Sequence, residues 1–366
     1  MTLAQSYDAI LLAGFGGPEG QDDVMPFLRN VTRGRGIPDE RLEEVAAHYR
    51  HFGGVSPINE QNRLLKSAIE AELAVREIDL PILWGNRNWP PFLVDAVSEA
   101  NGRGYTRLLG LATSAYSSYS SCRQYREDFA RALAETGLDE TVHIDKVRQY
   151  FDHPGFVAPF IEGVREAYDS LFARGVPAKR VRVLFSTHSI PADDADRSGP
   201  RDIDFGSGGA YAAQHRAVAT VVMGAQEEPG EWELVYQSRS GPPSMPWLEP
   251  DINDVIGALD VEAVDAIIIV PLGFVSDHLE VLWDLDTEAM QAAKDRGIEA
   301  IRVATPGTHR AFVSGLVDLI EERLNGTPEA NRPALTALGP WYDVCRPACC
   351  ENIRAGFKPA VAGVAP

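Results

Sequence analysis

The run AIIIV at Ala266–Val270 offers no polar face, and RVLF at residues 182–185 ends a second run of the same kind. A strand that is apolar on both sides must be covered on both sides, as parallel strands are when helices pack over a sheet. Short runs of this type recur along the chain. They predict strands at Asp8–Leu12, Pro81–Trp84, Arg107–Ala112, Val142–Lys146, Val181–Phe185, Glu233–Tyr236, Ala266–Val270 and Ala300–Val303. Helical periodicity lies between them, at Asp22–Asn30, Asp39–Arg50, Glu60–Val75, Pro91–Asn101, Pro154–Arg174, Tyr211–Gln226, His278–Arg296 and Thr308–Leu324. This alternation predicts an α/β fold built on parallel sheets. Eight strands can close a barrel, but roughly 70 residues separate the first two, an insertion that barrels seldom carry there. Two doubly wound sheets of four strands fit better.

In open α/β sheets the site lies at the carboxyl ends of the strands. Those ends read GFGGPE, GNRNWPP, TSAYSSYSS, STHSIP, QSRSGPPSMPW and PLGFVSDHLE, all rich in the Gly, Pro, Ser and aromatic residues of binding loops. Residues 192–210 are polar and Gly-rich and are expected to form a mobile loop; the chain beyond Asn325 reads as an extension. With a net charge of -19 the protein is a poor partner for nucleic acid, whose phosphates require basic surface. No run approaches the ~18 apolar residues of a membrane span. The first ten residues lack the basic flank and apolar core of a signal peptide, so a cytoplasmic protein is expected.

The glycines of GFGGPEG have neither dinucleotide-loop nor P-loop spacing, and Pro18 removes a backbone donor, so a tight turn is the reading there. His188, in FSTHSIP, follows an apolar strand. It fits a hydrogen-bonded filler, a metal ligand, or a base titrating near neutrality. In SDHLEVLWDLDTEAM, Glu280, Asp284 and Glu288 recur every four residues and fall in line on a helix, with no basic residue in the stretch to relieve their repulsion. Ser276 and Asp277 are N-cap signals, and His278 sits at the helix start. The line is either a solvated acidic face or a path for divalent cations and protons. The four cysteines are Cys122, Cys345, Cys349 and Cys350. The tail lacks a Cys-x2-Cys knuckle, and adjacent Cys349 and Cys350 make a strained disulfide pair. By count, four thiolates suit an iron–sulfur cluster or a zinc ion equally.

LLAGFGGPE, HFGGVSPIN, FSTHSIP, YQSRSGPPSMPWLEPDI and GFVSDHLEVLWDLD, in that order, closely resemble the signature segments of ferrochelatases, from about Tyr7 to Leu324. The resemblance implies two Rossmann-like domains of the chelatase kind with a porphyrin cleft between them. It places domain I at residues 7–115 plus a helix near 306–325, domain II at 116–305, and a C-terminal extension at 326–366. It implies an enzyme that inserts Fe2+ into a porphyrin, with two pyrrole protons leaving. His188 would be the base or metal-approach ligand, and Glu280 its opposing partner across the cleft. Asp277 and His278 would support them, and Asp284 and Glu288 would extend an acidic path outward. Phe15, Arg33, Ser56, Ser117, Tyr119 and Trp247 match positions that line the porphyrin site. Phe15 departs from relatives with Tyr there, because a phenyl ring cannot ligate iron. Several ferrochelatases hold a [2Fe-2S] cluster on a Cys-rich tail and one internal Cys, which implies ligation by Cys122, Cys345, Cys349 and Cys350. The tail and Phe15 favour coproporphyrin III as substrate and coproheme as product, from a monomer without a transmembrane segment. Protoporphyrin IX insertion, a cobaltochelatase of the same fold, and a non-enzymatic haem carrier or iron–sulfur sensor are the alternatives.

Overall fold

A computed structural model of the chain describes residues 6–34, 36–241, 244–351, 356 and 358–363. All eight expected strands form. They are β1 (Ala9–Gly14), β2 (Ile82–Asn86), β3 (Arg107–Ala112), β4 (His143–Lys146), β5 (Val181–His188), β6 (Glu231–Gln237), β7 (Ala266–Val270) and β8 (Glu299–Arg302). They make two parallel sheets, ordered β2-β1-β3-β4 and β6-β5-β7-β8. Every residue of β1 and of β7 is buried, as strands without a polar face require. Each large aliphatic side chain so buried contributes roughly 1.5–3 kcal/mol.

The residue-level departures matter more for the site. β5 runs three residues past its expected end, so His188 is the last residue of a strand and its backbone is fixed by pairing with Gln237 of β6. The helix Gln124–Thr136 has no counterpart among the expected helices. It buries Arg126, Glu127 and Asp128, and charges on the packed face erase the apolar stripe that marks a helix in sequence. The expected domain boundary at 115/116 falls inside the first sheet: β4 pairs in register with β3, Arg107 opposite His143, so the chain through Lys146 belongs with β1–β3. The helix Arg310–Asn325 packs on both Ile58–Val75 and Pro154–Phe172.

Residues 192–210 begin with a short helix, Ala192–Asp196, and Ala195 and Ser198 are buried, while 201–207 are irregular and largely exposed, so the expected loop is confined to the middle of this stretch. The tail is also built in. Trp341 is buried and its backbone N–H donates to Asp152 (3.0 Å), whose carboxylate accepts from the buried guanidinium of Arg148 (2.6 Å). No helix among the described residues is long and apolar enough to cross a membrane.

Candidate active site

Adjacent parallel strands deliver their carboxyl ends to one edge of a sheet, and β5 and β7 are neighbours. His188 ends β5; the chain leaving β7 turns through PLGFVSDH and starts a helix at Leu279. Gly273 allows the close approach: a Cβ there would lie 2.1 Å from Thr187 Oγ1. The turn sets Glu280 beside His188, Nε2 to Oε2 3.5 Å. Glu280 is therefore the lateral neighbour of His188 on the same sheet edge, not its opposite across a cleft. The ring is oriented by its other nitrogen, which donates from Nδ1 to the Ser189 carbonyl (2.5 Å).

The pair is open to a ligand yet walled by protein, with 33% and 48% of the two side chains accessible. Desolvation pulls the His188 pKa down, but the hydrogen bond and charge of Glu280, with help from the Ser189 carbonyl and Asp284, bring it above the ordinary imidazole value. Desolvation likewise pushes Glu280 up, and His188 and then His278 overcome it, down to about 2. Each partner therefore favours the charged form of the other. His278 goes the other way: burial lowers its pKa and keeps it neutral, so its Nδ1 can accept the N–H of Glu280 (3.2 Å) and cap the helix start.

Beyond Glu280 the helix opens into π geometry over Leu282–Ala289. Five-residue contacts mark the wider turn: Thr287 Oγ1 donates to Leu282 O, and Trp283 Nε1 donates to Glu288 (2.9 Å). Glu280, Asp284 and Glu288 still run outward as a line of carboxylates. Asp284 accepts from Ser238 Oγ and from Gln237 Nε2 (3.2 Å), at the end of β6. Burial raises its pKa to about 7 against the Ser238 hydrogen bond, and the Glu280 charge adds to the rise. Between about 3.8 and about 7 the folded state therefore binds this proton and the unfolded state does not, so stability falls as pH rises through that window. Asp284→Asn should melt with wild type near pH 4 and a few degrees above it beyond pH 7, by calorimetry; equal melting at both pH values refutes the buried acid.

Two residues that sequence reasoning passed over hold this edge together. Gln237 accepts from Ser186 Oγ (2.7 Å) and donates to Asp284 and to the Glu280 carbonyl (3.3 Å), tying β5, β6 and the π-helix. Arg302 of β8 bridges Asp277 (3.1 Å) and Asp286, and Thr305 also donates to Asp277 (3.0 Å). Asp277 thus serves the turn that carries His278 and Glu280, and is engaged by Arg302 rather than by the carboxylate line. QSRSGPPSMPW had marked the Gln237 loop as a strand end; nothing in the sequence singled out Arg302.

The first two of the three α-helices between β1 and β2, Val24–Val31 and Asp39–His51, pack against the site, with Val24, Phe27, Leu28 and Tyr49 in one apolar cluster with Leu279. His48 stacks on Trp283 at 4.0 Å, joining these helices to the π-helix. Phe15 is 37% exposed at the end of β1 and meets Phe27 edge-on. Trp247 pairs by backbone with Pro191, just past His188. The other expected porphyrin contacts are placed differently. Ser56 is buried against Gly17, and Arg33 is exposed and bonded to Asn30. Tyr119 donates to Glu127 (3.2 Å). Ser117 is fully buried, with its N–H and hydroxyl both engaged by Gln214 (2.8 and 3.0 Å), so it turns inward where a ligand contact was expected.

A second convergence lies far along the sequence from this edge. Cys122, in the π-helical turn Tyr119–Arg123, and tail residues Cys345, Cys349 and Cys350 form one buried cluster. The sulfurs of Cys122 and Cys350 are 3.9 Å apart and those of Cys349 and Cys350 3.8 Å. That is close to the ~3.8 Å edge of a sulfur tetrahedron around one metal with ~2.3 Å bonds. All four thiols are free. Gly199 N–H donates to Cys350 Sγ (3.2 Å), and the Tyr342 hydroxyl lies 3.2 Å from Cys349 Sγ, partners that suit thiolate ligands. Among the described residues no three His, Cys, Asp or Glu side chains stand ready-set around a single metal ion. The donor chemistry and burial nonetheless suit a sulfur-bound centre.

A ferrochelatase family model matches residues 7–324. A coproporphyrin III ferrochelatase of Leifsonia xyli is 70% identical, with 100% of this chain and 96% of that protein covered. A coproporphyrin III ferrochelatase of Tropheryma whipplei is 58% identical over 99% of this chain and 93% of its own, and a ferrochelatase of Rhodopirellula baltica 47% identical over 100% and 99%. Among solved structures, SirB from Bacillus subtilis with Fe3+ superposes with a TM-score of 0.51 at 12% identity, covering 90% of this chain and 100% of its own, a likeness of fold.

Proposed function

The chain belongs to the ferrochelatase family, and on that premise we propose that it inserts Fe2+ into coproporphyrin III over the His188–Glu280 pair, in haem biosynthesis. The observation that carries the reading is the pair itself: an imidazole and a carboxylate 3.5 Å apart on one sheet edge, with a carboxylate line leading away. Insertion releases two pyrrole protons. His188 accepts the first as free imidazole and must pass it on before taking the second. Asp284, with a pKa of about 7, is poised to relay it, and Glu288 opens the line to solvent. The same carboxylates attract the incoming Fe2+. Phe15 and Trp247 supply flat apolar surface for the macrocycle. Arg33 and Tyr119 are proposed contacts for its carboxylates, and Ser56 a support of the first loop.

The four cysteines are proposed to hold a [2Fe-2S] cluster. Bound there, it supplies a cross-link between Cys122 and the tail and a one-electron couple. A cytoplasmic monomer completes the reading, consistent with the acidic composition.

The test is steady-state insertion of Fe2+ and Co2+ into coproporphyrin III and protoporphyrin IX. Coproporphyrin with Fe2+ should lead the other combinations in kcat/KM by at least about tenfold, which is 1.4 kcal/mol of differential transition-state binding. Equal use of protoporphyrin IX would refute the substrate, and faster Co2+ insertion the metal.

A further inference from the structure

Lys146 ends β4 and is buried, 3% exposed. Its ammonium donates to two neutral acceptors, Val147 O (2.7 Å) and Gln149 Oε1 (2.5 Å). The Gln149 amide cannot turn away, because its Nε2 is engaged by the carbonyls of Ser114 (3.0 Å) and Tyr116 (2.7 Å). Arg126 is also buried, and its Nε donates to Val361 O (2.6 Å). Other buried guanidiniums nearby have carboxylates: Arg123 has Glu127 at 2.9 Å, and Arg148 has Asp152 and Glu322 at 2.6 and 2.8 Å. Lys146 and Arg126 have none within ion-pair distance among the described residues. An uncompensated buried cation costs several kcal/mol, so a site that holds two implies negative charge close by.

The candidates for that charge are the four cysteines, buried together. Burial pushes the Lys146 pKa down, and the groups that pull it back are first Cys345, then Cys122, with Asp343 after them. Asp343 is already taken by Arg332, and Arg323 lies 3.6 Å from it. On the sulfur side, Arg126 lies four residues beyond Cys122, in the first turn of the helix that follows the Cys122 turn. The tail is shaped to admit its side chain. Gly363 bridges to Cys345, and a Cβ on Gly363 would lie 1.8 Å from Arg126 Nη2, so only glycine lets the guanidinium lie there.

We propose that Lys146 and Arg126 are the built-in counter-cations of the four-cysteine site, two fixed positive charges matched to a dianionic centre. The inference rests on the cysteines holding such a centre. Two ferric ions, two sulfides and four thiolates make a dianion, and so does one zinc ion with four thiolates. Adding an electron to the cluster makes it a trianion, which the cations favour. They therefore raise its reduction potential as well as retain it.

The test uses anaerobically purified full-length wild type, Lys146→Met and Arg126→Met. Each substitution should make the cluster harder to reduce, by about tenfold in the reduction equilibrium, or 59 mV for one electron. Chelator should strip the variants' iron faster. A variant with a full cluster and wild-type potential overturns the proposal. If the Met variants emerge without cluster, the apoproteins decide. Removing an uncompensated cation should raise the melting temperature of apo Lys146→Met above apo wild type, and a fall would leave Lys146 a structural residue and overturn the idea. Wild type without iron or sulfide would defeat the cluster reading by itself. Zinc, titrated against a chelator, is then the probe. About tenfold weaker zinc binding in each variant supports the counter-cations, and unchanged binding overturns them.

Discussion

His188→Ala should lower Fe2+ insertion by about 10²–10⁴-fold with little change in the porphyrin KM, because what is lost is a proton acceptor at the reacting nitrogens and not a binding surface. Glu280→Gln is the more informative partner. In wild type Glu280 is the main group holding the His188 pKa above its ordinary value. The imidazole is therefore free of its proton only on the alkaline side, and insertion should rise with pH through a value above about 6.5. With a neutral glutamine, desolvation becomes the dominant influence on His188 and acts downward. The acid limb of the kcat/KM profile should then move to lower pH even as the plateau falls by about 10²-fold. The same sign governs stability. A raised histidine pKa stabilises the fold below about 6.5, and that contribution is lost as pH rises through the folded value, so His188→Ala should cost more stability at pH 5 than at pH 9. Insertion that survives both substitutions, or an acid limb that stays in place in Glu280→Gln, would remove His188 as the base.

The strands were legible because a parallel strand covered on both faces has to be apolar at nearly every position, and AIIIV admits few other readings. The elements that shape the site obey weaker rules. A π-helix differs from an α-helix by one residue inserted in the ladder, and LEVLWDLDTEAM carries no compositional trace of it. The carboxylate line was nonetheless readable, because residues four apart stay near one face at either pitch. The place of Glu280 was misjudged for a topological reason: only the order β6-β5-β7-β8 makes the ends of β5 and β7 adjacent. Arg302 and Lys146 could not be singled out at all. One surface-type residue looks like another in sequence until the fold brings its partner to it, as it brings Asp277 to Arg302 and, on the proposal above, the four cysteines to Lys146.

That dependence on distant partners sets the second expectation. Cys345→Ser and Cys350→Ser should each purify without iron, sulfide or visible absorption, and should unfold well below the wild type. A centre joining Cys122 to Cys345 closes a loop of more than two hundred residues in the unfolded chain. By the chain-entropy argument used for disulfides, such a closure is worth about 5 kcal/mol. For a chain of this length that is roughly a 5–8 °C fall in melting temperature. The loss should also be local. Residues 341–350 lie over the Cys122 turn and Gly199, so hydrogen exchange should quicken in those segments while β1 and β7, buried along their whole length, keep their protection. The tail has anchors besides the sulfurs, among them Trp341 on Asp152 and Asp343 on Arg323 (3.6 Å), so partial order should remain near Trp341. Serine variants that keep the wild-type spectrum would rule out four-cysteine ligation. Variants that lose the spectrum but melt with the wild type would mean that the Asp152 and Asp343 anchors alone hold the tail.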